Sequence, residues 1–172
     1  MNTTEFLTIS SAIVPDRLAM IFEDKRISYE SLQERVNRLA DAFANLGVEA
    51  GDRVATIQVN CNEHIEIYFA TAKLGAIYVP INFRVRNEEL SFMLRDSEPK
   101  VLLAGGRYYD LVDSVAGSVD SLTSLVALDG EKESWLSYEN LLQSGENIER
   151  FPTADDEDTT IIMFTAGTTG TP

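Results

Sequence analysis

The residues with the clearest chemical potential form a loop of glycines and threonines near the end of the sequence. The segment TIIMFTAGTTGTP places β-branched and apolar residues before this loop, which predicts a strand over Thr159–Phe164. Glycines let the backbone turn its N–H groups towards a ligand, and threonine hydroxyls add donors, so the loop suits an anion such as phosphate. The predicted donors are the hydroxyls of Thr165, Thr168 and Thr169 and the N–H groups around Gly167 and Gly170.

Composition alone leaves a plain turn as the alternative, and two common nucleotide motifs do not match. The P-loop of nucleoside triphosphatases has four residues between its glycines, whereas two residues separate Gly167 from Gly170. The adjacent pair Gly105–Gly106 lacks the spaced glycines of a dinucleotide-binding fingerprint. This second pair therefore predicts a tight turn between a strand and a helix.

Cysteine and histidine occur once each, as Cys61 and His64. They lack the partners and spacing of a disulfide, a zinc site or a catalytic triad. We interpret Cys61 as a bystander thiol and His64 as a residue in the first turn of a helix. The acidic run Asp155–Asp158 lacks the alternating ligands and glycine of a calcium loop, so it is interpreted as a solvated loop. The sequence therefore predicts no metal site.

The elements that would position the terminal loop alternate between helix and strand. A short hairpin in MIFEDKRISY, with its turn at Asp24–Lys25, precedes a helix in SYESLQERVNRLADAFANLG that Ser28 caps and Gly47 ends. Further helices are predicted in NEHIEIYFATAKLG, NEELSFMLRDSE and RYYDLVDSVAGSV, and strands in GDRVATIQVN, AIYVPIN, KVLLAG and SLVALD. This alternation predicts an α/β fold with a mainly parallel sheet flanked by helices on both faces.

Length, charge and hydropathy limit the class of protein. With 172 residues, 44% of them hydrophobic, the chain suits one domain with a sizeable core. A formal net charge of -14 argues against a surface that binds nucleic acid or anionic lipid. The N-terminus carries no secretion signal, and charged residues, glycine and proline interrupt the most apolar stretch, residues 65–81. We predict a cytoplasmic protein with no integral membrane segment.

TIIMFTAGTTGTP resembles the phosphate-binding motif of the AMP-forming adenylating enzymes, the superfamily of acyl-CoA synthetases, non-ribosomal peptide adenylation domains and luciferases. Two earlier stretches agree in order and spacing: ISYESLQERVNRLADAFANLGVEAGDRVA and NCNEHIEIYFATAKLGAIYVPINFRVRNEELSFMLRDSEPKVLLA. The resemblance covers nearly the whole chain and is weakest between about Leu111 and Ala154. Within the superfamily, KLGAIYVPINFRVRNEEL looks most like the acyl-CoA synthetases.

The resemblance implies a two-step ligase reaction with ATP, Mg2+ and coenzyme A. A carboxylic acid is activated as an acyl-adenylate, and its acyl group then passes to coenzyme A. The family's phosphate-binding positions fall on one run: Thr165, Ala166, Gly167, Thr168, Thr169, Gly170 and Thr171. Ala166 stands where the family more often has serine, which removes one hydroxyl, and Thr171 occupies a variable position.

The resemblance further implies that residues 1–172 are an incomplete N-terminal adenylation domain. We expect a looser acidic connector at about 129–158, the phosphate loop at 164–172, and no catalytic residue, since the family's catalytic lysine lies in a C-terminal domain. The fragment alone is expected to be inactive. Two alternatives stay open. One is a non-catalytic module that self-associates or binds a partner. The other is part of an adenylation domain that loads a carrier protein, or of an oxidative luciferase relative.

Overall fold

The computed structural model of the chain describes residues 3–151, 155 and 157–165. Helices and strands alternate along most of this length. The helices are α1 (Thr3–Ile13), α2 (Tyr29–Asn45), α3 (Glu63–Leu74), α4 (Asn87–Ser97), α5 (Tyr109–Ala116) and α6 (Tyr138–Ser144). The strands are β1 (Leu18–Phe22), β2 (Lys25–Ser28), β3 (Arg53–Ile57), β4 (Ile77–Ile81), β5 (Pro99–Ala104), β6 (Ser124–Ala127) and β7 (Leu136–Ser137).

β1 and β2 form an antiparallel hairpin, whereas the other five strands form one parallel sheet in the order β4-β3-β5-β6-β7. Ala55 of β3 pairs with Val79 of β4 on one side and with Leu102 of β5 on the other. The chain passes from β3 to β4 and then back across β3 to β5, so its winding direction reverses between β3 and β5. Crossovers of one hand consequently place α3 and α4 on opposite faces of the sheet.

Each face of the sheet has its own apolar core. On one face, Val54 and Leu103 pack with residues of α2, α3 and α6. On the other, Ala55 and Leu102 pack with residues of α4 and α5. Successive strand residues therefore face opposite cores, and both faces are covered, as buried parallel strands require. The predicted α/β class and parallel sheet are confirmed.

The predicted caps set the ends of α2 and α3. The Ser28 hydroxyl accepts a hydrogen bond from the Ser31 N–H at 3.2 Å and satisfies one free donor of the first turn of α2. Gly47 follows α2 with φ +83°, and Gly75 ends α3 with φ +67°. The hairpin differs by one residue from the prediction, because its turn lies at Glu23–Asp24 and β2 already begins at Lys25.

Ion pairs fix the segment Gly145–Arg150 onto the helical face formed by α2 and α3. Lys73 has a fully buried side chain and pairs with Glu149. Arg150 pairs with Asp41 at 2.5 Å, and Asp41 also accepts the Glu146 N–H at 3.0 Å. These bonds lower the pKa of Asp41, so its carboxylate stays charged at neutral pH. The boundaries of the acidic connector at about 129–158 stay a prediction. Residues 145–150 of this connector are held against α2 and α3 by these ion pairs.

Replacement of Gly145 by alanine is expected to destabilise the fold by about 1–3 kcal/mol. A methyl group there would overlap the carbonyl oxygen of Arg38 and approach the Ala42 N to 2.9 Å, and neither backbone atom can move without distorting α2. The matched control is Gly117→Ala, where nothing lies within 4 Å of the added carbon. Urea unfolding compares the two variants, and equal midpoints would contradict the close packing at Gly145.

Candidate phosphate-binding site

Residues Thr159–Thr165, the edge segment, approach the outer side of β4 and lead to the predicted phosphate loop. The Tyr78 N–H donates to the Thr160 carbonyl at 3.0 Å, and the Ile162 N–H donates to the Tyr78 carbonyl at 2.9 Å. Ile161 and Tyr78 form a parallel bridge. The strand predicted over Thr159–Phe164 is thus reduced to one bridge, and the chain runs in the same direction as β4.

Side chains of the edge segment alternate between core and solvent. Ile162 and Phe164 pack against the core that contains α4 and α5, and the rings of Phe164 and Phe92 meet at a centroid distance of 6.4 Å. Ile161 and Met163 are exposed. Because the edge segment runs parallel to β4, the chain leaves it towards the carboxyl edge of the sheet, where ligands bind in open α/β folds.

The predicted loop begins at this carboxyl edge. Thr165 is exposed, directly after the anchored Phe164. The other predicted phosphate-binding residues lie outside the described residues, so their contacts with phosphate stay predictions: Ala166, Gly167, Thr168, Thr169, Gly170 and Thr171.

The second glycine pair is a tight turn, as predicted. Gly105–Gly106 connects β5 to a 3-10 turn, Gly106–Tyr108, that leads into α5. The turn lies where the winding direction reverses, which is the usual place for a ligand phosphate. Here a protein carboxylate occupies the equivalent position, because Asp129 accepts the Gly106 N–H and also the Gln58 amide at 3.2 Å. The Asp129 carboxylate and the Gln58 amide therefore occupy this part of the carboxyl edge.

An apolar cavity of about 450 Å³ lies between the N-terminal part of α3 and the edge segment. Cys61 lines it, and burial raises the pKa of its thiol to about 12. The thiol is therefore protonated at neutral pH and is not a nucleophile, which agrees with its interpretation as a bystander. The cavity lining is Asn60, Cys61, His64, Ile65, Tyr68, Tyr78, Pro80 and Ile161.

His64 lies in the first turn of α3, as predicted, but it has a partner that the sequence pattern did not indicate. Its Nδ1 lies 2.5 Å from the Tyr78 hydroxyl, and its Nε2 lies 3.4 Å from the Gln58 carbonyl. Burial lowers the pKa of His64 and raises the pKa of Tyr78. Because the Gln58 carbonyl can only accept, Nε2 of the neutral imidazole carries the proton and Nδ1 accepts the Tyr78 hydroxyl. The only sign of this partner in the sequence is the tyrosine hydroxyl of Tyr78, which stands in an otherwise apolar strand.

The part of the chain that the structure describes contains neither a cluster of metal ligands nor a helix that could span a membrane. Over residues 3–151, 155 and 157–165, histidine, cysteine and carboxylate side chains form no group of three that could hold a metal ion. Over the same residues, every helix is too short or too polar to cross a bilayer.

A family model described as AMP-binding enzyme matches residues 9–172. The chain belongs to the AMP-binding enzyme family. Its similarity to this family therefore includes the edge segment and the glycine- and threonine-rich loop. The superfamily resemblance seen in the sequence is confirmed.

Several named CoA ligases are similar to this chain over most or all of its length. An indoleacetate–CoA ligase from Aromatoleum aromaticum is 34% identical over all of this chain and 34% of its own length. A crotonobetaine/carnitine–CoA ligase from Salmonella agona is 34% identical over 94% of this chain and 33% of its own length. The anthranilate CoA ligase AuaEII, solved with anthranoyl-AMP, superposes with a TM-score of 0.95 at 25% identity and covers all of this chain. The chain spans about a third of the length of these relatives.

Proposed function

We propose that this chain is the N-terminal part of an ATP-dependent, AMP-forming acyl-CoA ligase. The observation that carries the proposal is the family match over residues 9–172, which includes the edge segment and its loop. A carboxylate oxygen of the acid attacks the α-phosphorus of ATP, and pyrophosphate leaves with the electrons of the broken bond. The sulfur of coenzyme A then attacks the acyl carbon, AMP leaves, and the thiol proton passes to solvent. The bound anthranoyl-AMP of AuaEII supports an acyl-adenylate intermediate.

In this proposal the loop holds the β- and γ-phosphates of ATP. The hydroxyls and N–H groups from Thr165 to Thr171 stabilise the negative charge that develops on departing pyrophosphate. Mg2+ bound to ATP would neutralise part of the charge on the phosphates. Hydrogen bonds to Tyr78 and the packing of Phe164 anchor the loop at its N-terminal side.

The proposed substrate class is a carboxylic acid. The named relatives are ligases of indoleacetate, of crotonobetaine or carnitine, and of anthranilate, whose common group is a carboxylate. The partners are that acid, ATP and coenzyme A, and we place the protein in the cytoplasm, where both cofactors are abundant. We propose that the 172-residue chain alone is inactive, because it spans only about a third of the length of the ligases it resembles.

The test is product analysis with the full-length protein that contains this chain. A panel of aryl, fatty and short carboxylates is incubated with MgATP and coenzyme A, and the same panel with a phosphopantetheine-bearing carrier protein. AMP and an acyl-CoA in equal amounts support the proposal. Acyl transfer to the carrier alone favours the carrier-loading alternative. Formation of ADP from every acid would contradict both.

Exposed apolar side chains support self-association of the isolated 172-residue chain. Ile13 and Phe151 are each 72% exposed, and Met163 is 66% exposed. Because burial of such side chains on a second copy removes them from water, we expect the sedimentation coefficient to rise with protein concentration. A coefficient that stays constant from micromolar to millimolar chain would contradict this expectation.

A further inference from the structure

Helix α1 is apolar on two opposite sides. Its inner side carries the buried residues Thr4 and Leu7 and packs on α2 and α3. Its outer side carries three large apolar residues that stand three or four positions apart and so form one stripe along the helix. They are Phe6, Ile9 and Ile13, whose exposed fractions are 58%, 44% and 72%. Because a helix that is apolar all round is normally buried all round, we expect a partner to cover this outer side.

Two further apolar side chains lie on the segment beside α1. The Thr8 hydroxyl donates to Glu149 at 3.1 Å, which holds the segment Gly145–Arg150 against the helix. Ile148 in that segment is 44% exposed, and Phe151, which follows it, is 72% exposed. Exposed apolar side chains that cluster in this way are typical of surfaces that bind another protein. We name these five side chains the α1 patch: Phe6, Ile9, Ile13, Ile148 and Phe151.

We propose that a second copy of this chain binds the α1 patch, with the two α1 helices antiparallel across a two-fold axis. The charge distribution favours this occupant. Two copies of a chain with a formal net charge of -14 repel each other over most of their surfaces. Residues 1–15 are an exception, because Glu5 is their only charged side chain. The α1 patch therefore offers two copies an apolar contact where this repulsion is weak.

The spacing of the stripe suits an antiparallel pair of helices. Phe6 precedes Ile9 by three residues and Ile13 follows it by four, so the stripe is nearly symmetric about Ile9. In an antiparallel pair, Phe6 of each copy contacts Ile13 of the other copy, and the two Ile9 side chains meet near the axis. The same surface of both copies is then used, as a two-fold dimer requires.

The charged residues at the two ends of the stripe also favour the antiparallel arrangement. Glu5 stands near the N-terminal end of α1, and the exposed residues Asp16 and Arg17 follow its C-terminal end. An antiparallel pair brings Glu5 of one copy near Asp16 and Arg17 of the other, where one repulsion and one attraction offset each other. A parallel pair would instead place the two Glu5 carboxylates side by side.

Sedimentation of matched variants tests which surface the second copy binds. Ile13→Asn removes an apolar side chain of the α1 patch, whereas Met163→Gln removes one that is 66% exposed from the edge segment. Both variants keep the net charge, and both positions are exposed, so both variants should stay folded. We expect Ile13→Asn to weaken dimerisation at least about 30-fold, because the side chain is lost from both copies. Met163→Gln should leave dimerisation unchanged.

Three results of this experiment would overturn the proposal. One is a wild-type chain that is monomeric at every concentration, and another is unchanged dimerisation of the Ile13→Asn variant. The third concerns salt, because screening of the repulsion between two acidic chains should strengthen the dimer as NaCl rises from about 0.05 to about 0.5 M. A dimer that weakens instead would be held by ion pairs rather than by the α1 patch.

Crosslinking tests the two-fold geometry. In a Cys61→Ser background, Ile9→Cys places a thiol close to the proposed axis, and a bis-maleimide that spans about 8 Å can join two such thiols across packed helices. Ile21→Cys is the matched control, because Ile21 lies on β1 outside the α1 patch and is 57% exposed. We expect Ile9→Cys to form covalent dimers at least about tenfold faster, because the dimer raises the effective concentration of its thiols. Equal rates would overturn the antiparallel pair.

The same crosslinking in the full-length protein tests the identity of the occupant. The proposal does not depend on the ligase activity, so the result holds whether or not the protein forms an acyl-adenylate. Covalent dimers of the Ile9→Cys variant in the full-length protein would support a second copy as the occupant. Covalent dimers of the 172-residue chain alone would show that the rest of the same protein covers α1, and they would overturn the proposal.

Discussion

Removal of the hydroxyl of Thr168 or of Thr169 is expected to slow pyrophosphate exchange by the full-length protein about 10²- to 10³-fold. Such a loss is typical when one preorganised donor to a developing negative charge is removed. Thr168→Val and Thr169→Val test this because valine keeps the shape of threonine without its hydroxyl. Substrate-dependent exchange of labelled pyrophosphate into ATP measures the step in which that charge develops.

Two controls define what this loss means. Thr168→Ser and Thr169→Ser keep a hydroxyl, so they should retain most of the exchange activity. Thr159→Val removes an exposed hydroxyl in the same strand-like stretch but before the loop, and it should leave the rate unchanged. If the valine variants in the loop behaved like Thr159→Val, the assignment of these hydroxyls to the phosphates would be wrong.

Replacement of Glu66 by alanine is expected to lower the free energy of unfolding by about 3–5 kcal/mol, the usual cost of breaking a buried ion pair. Glu66 is fully buried on α3 and accepts two hydrogen bonds from the Arg35 guanidinium, each 3.0 Å long. Asn62 donates to it at 3.1 Å, and the Tyr138 hydroxyl donates at 2.7 Å. Burial raises the pKa of Tyr138, so this hydroxyl keeps its proton.

We expect a large loss of stability because the substitution leaves the partners of Glu66 in place without their carboxylate. Without Glu66, the Arg35 charge and two polar groups lose the carboxylate that connects α2, α3 and α6. Glu139→Ala is the matched control, because Glu139 also pairs with Arg35, at 2.8 Å, but its side chain is 52% exposed. We expect that variant to lose less than about 1 kcal/mol. Urea unfolding of both variants is the measurement, and equal losses would contradict the buried network.

The helices that the sequence predicted best are those with local signals. The cap at Ser28, a regular apolar stripe and Gly47 define α2, and Gly75 marks the end of α3. No such signal in the sequence predicted α1. Of its residues, only Thr4 and Leu7 are buried, while Phe6, Ile9 and Ile13 are exposed, so its apolar pattern does not follow the core.

The spacing of residues along the sequence could not predict contacts between distant parts of the chain. Glu66 and Arg35 are 31 residues apart, and Glu149 lies 76 residues from the buried Lys73. Neither pair has a spacing that a helix or a strand would reveal. The edge segment shows the same limit, since β-branched composition predicted a strand but its pairing depends on Tyr78. The phosphate loop was predicted from its motif, and its residues after Thr165 stay predictions.

We propose that this chain belongs to an enzyme in which a carboxylate attacks the α-phosphate of ATP. An acid labelled with oxygen-18 in its carboxylate tests it most directly, with the full-length protein, MgATP and coenzyme A. We expect one labelled oxygen in AMP, because the bond from that oxygen to phosphorus survives when the thiol displaces AMP. Label in inorganic phosphate with ADP as the nucleotide product would show attack on the γ-phosphate and would contradict the proposed reaction.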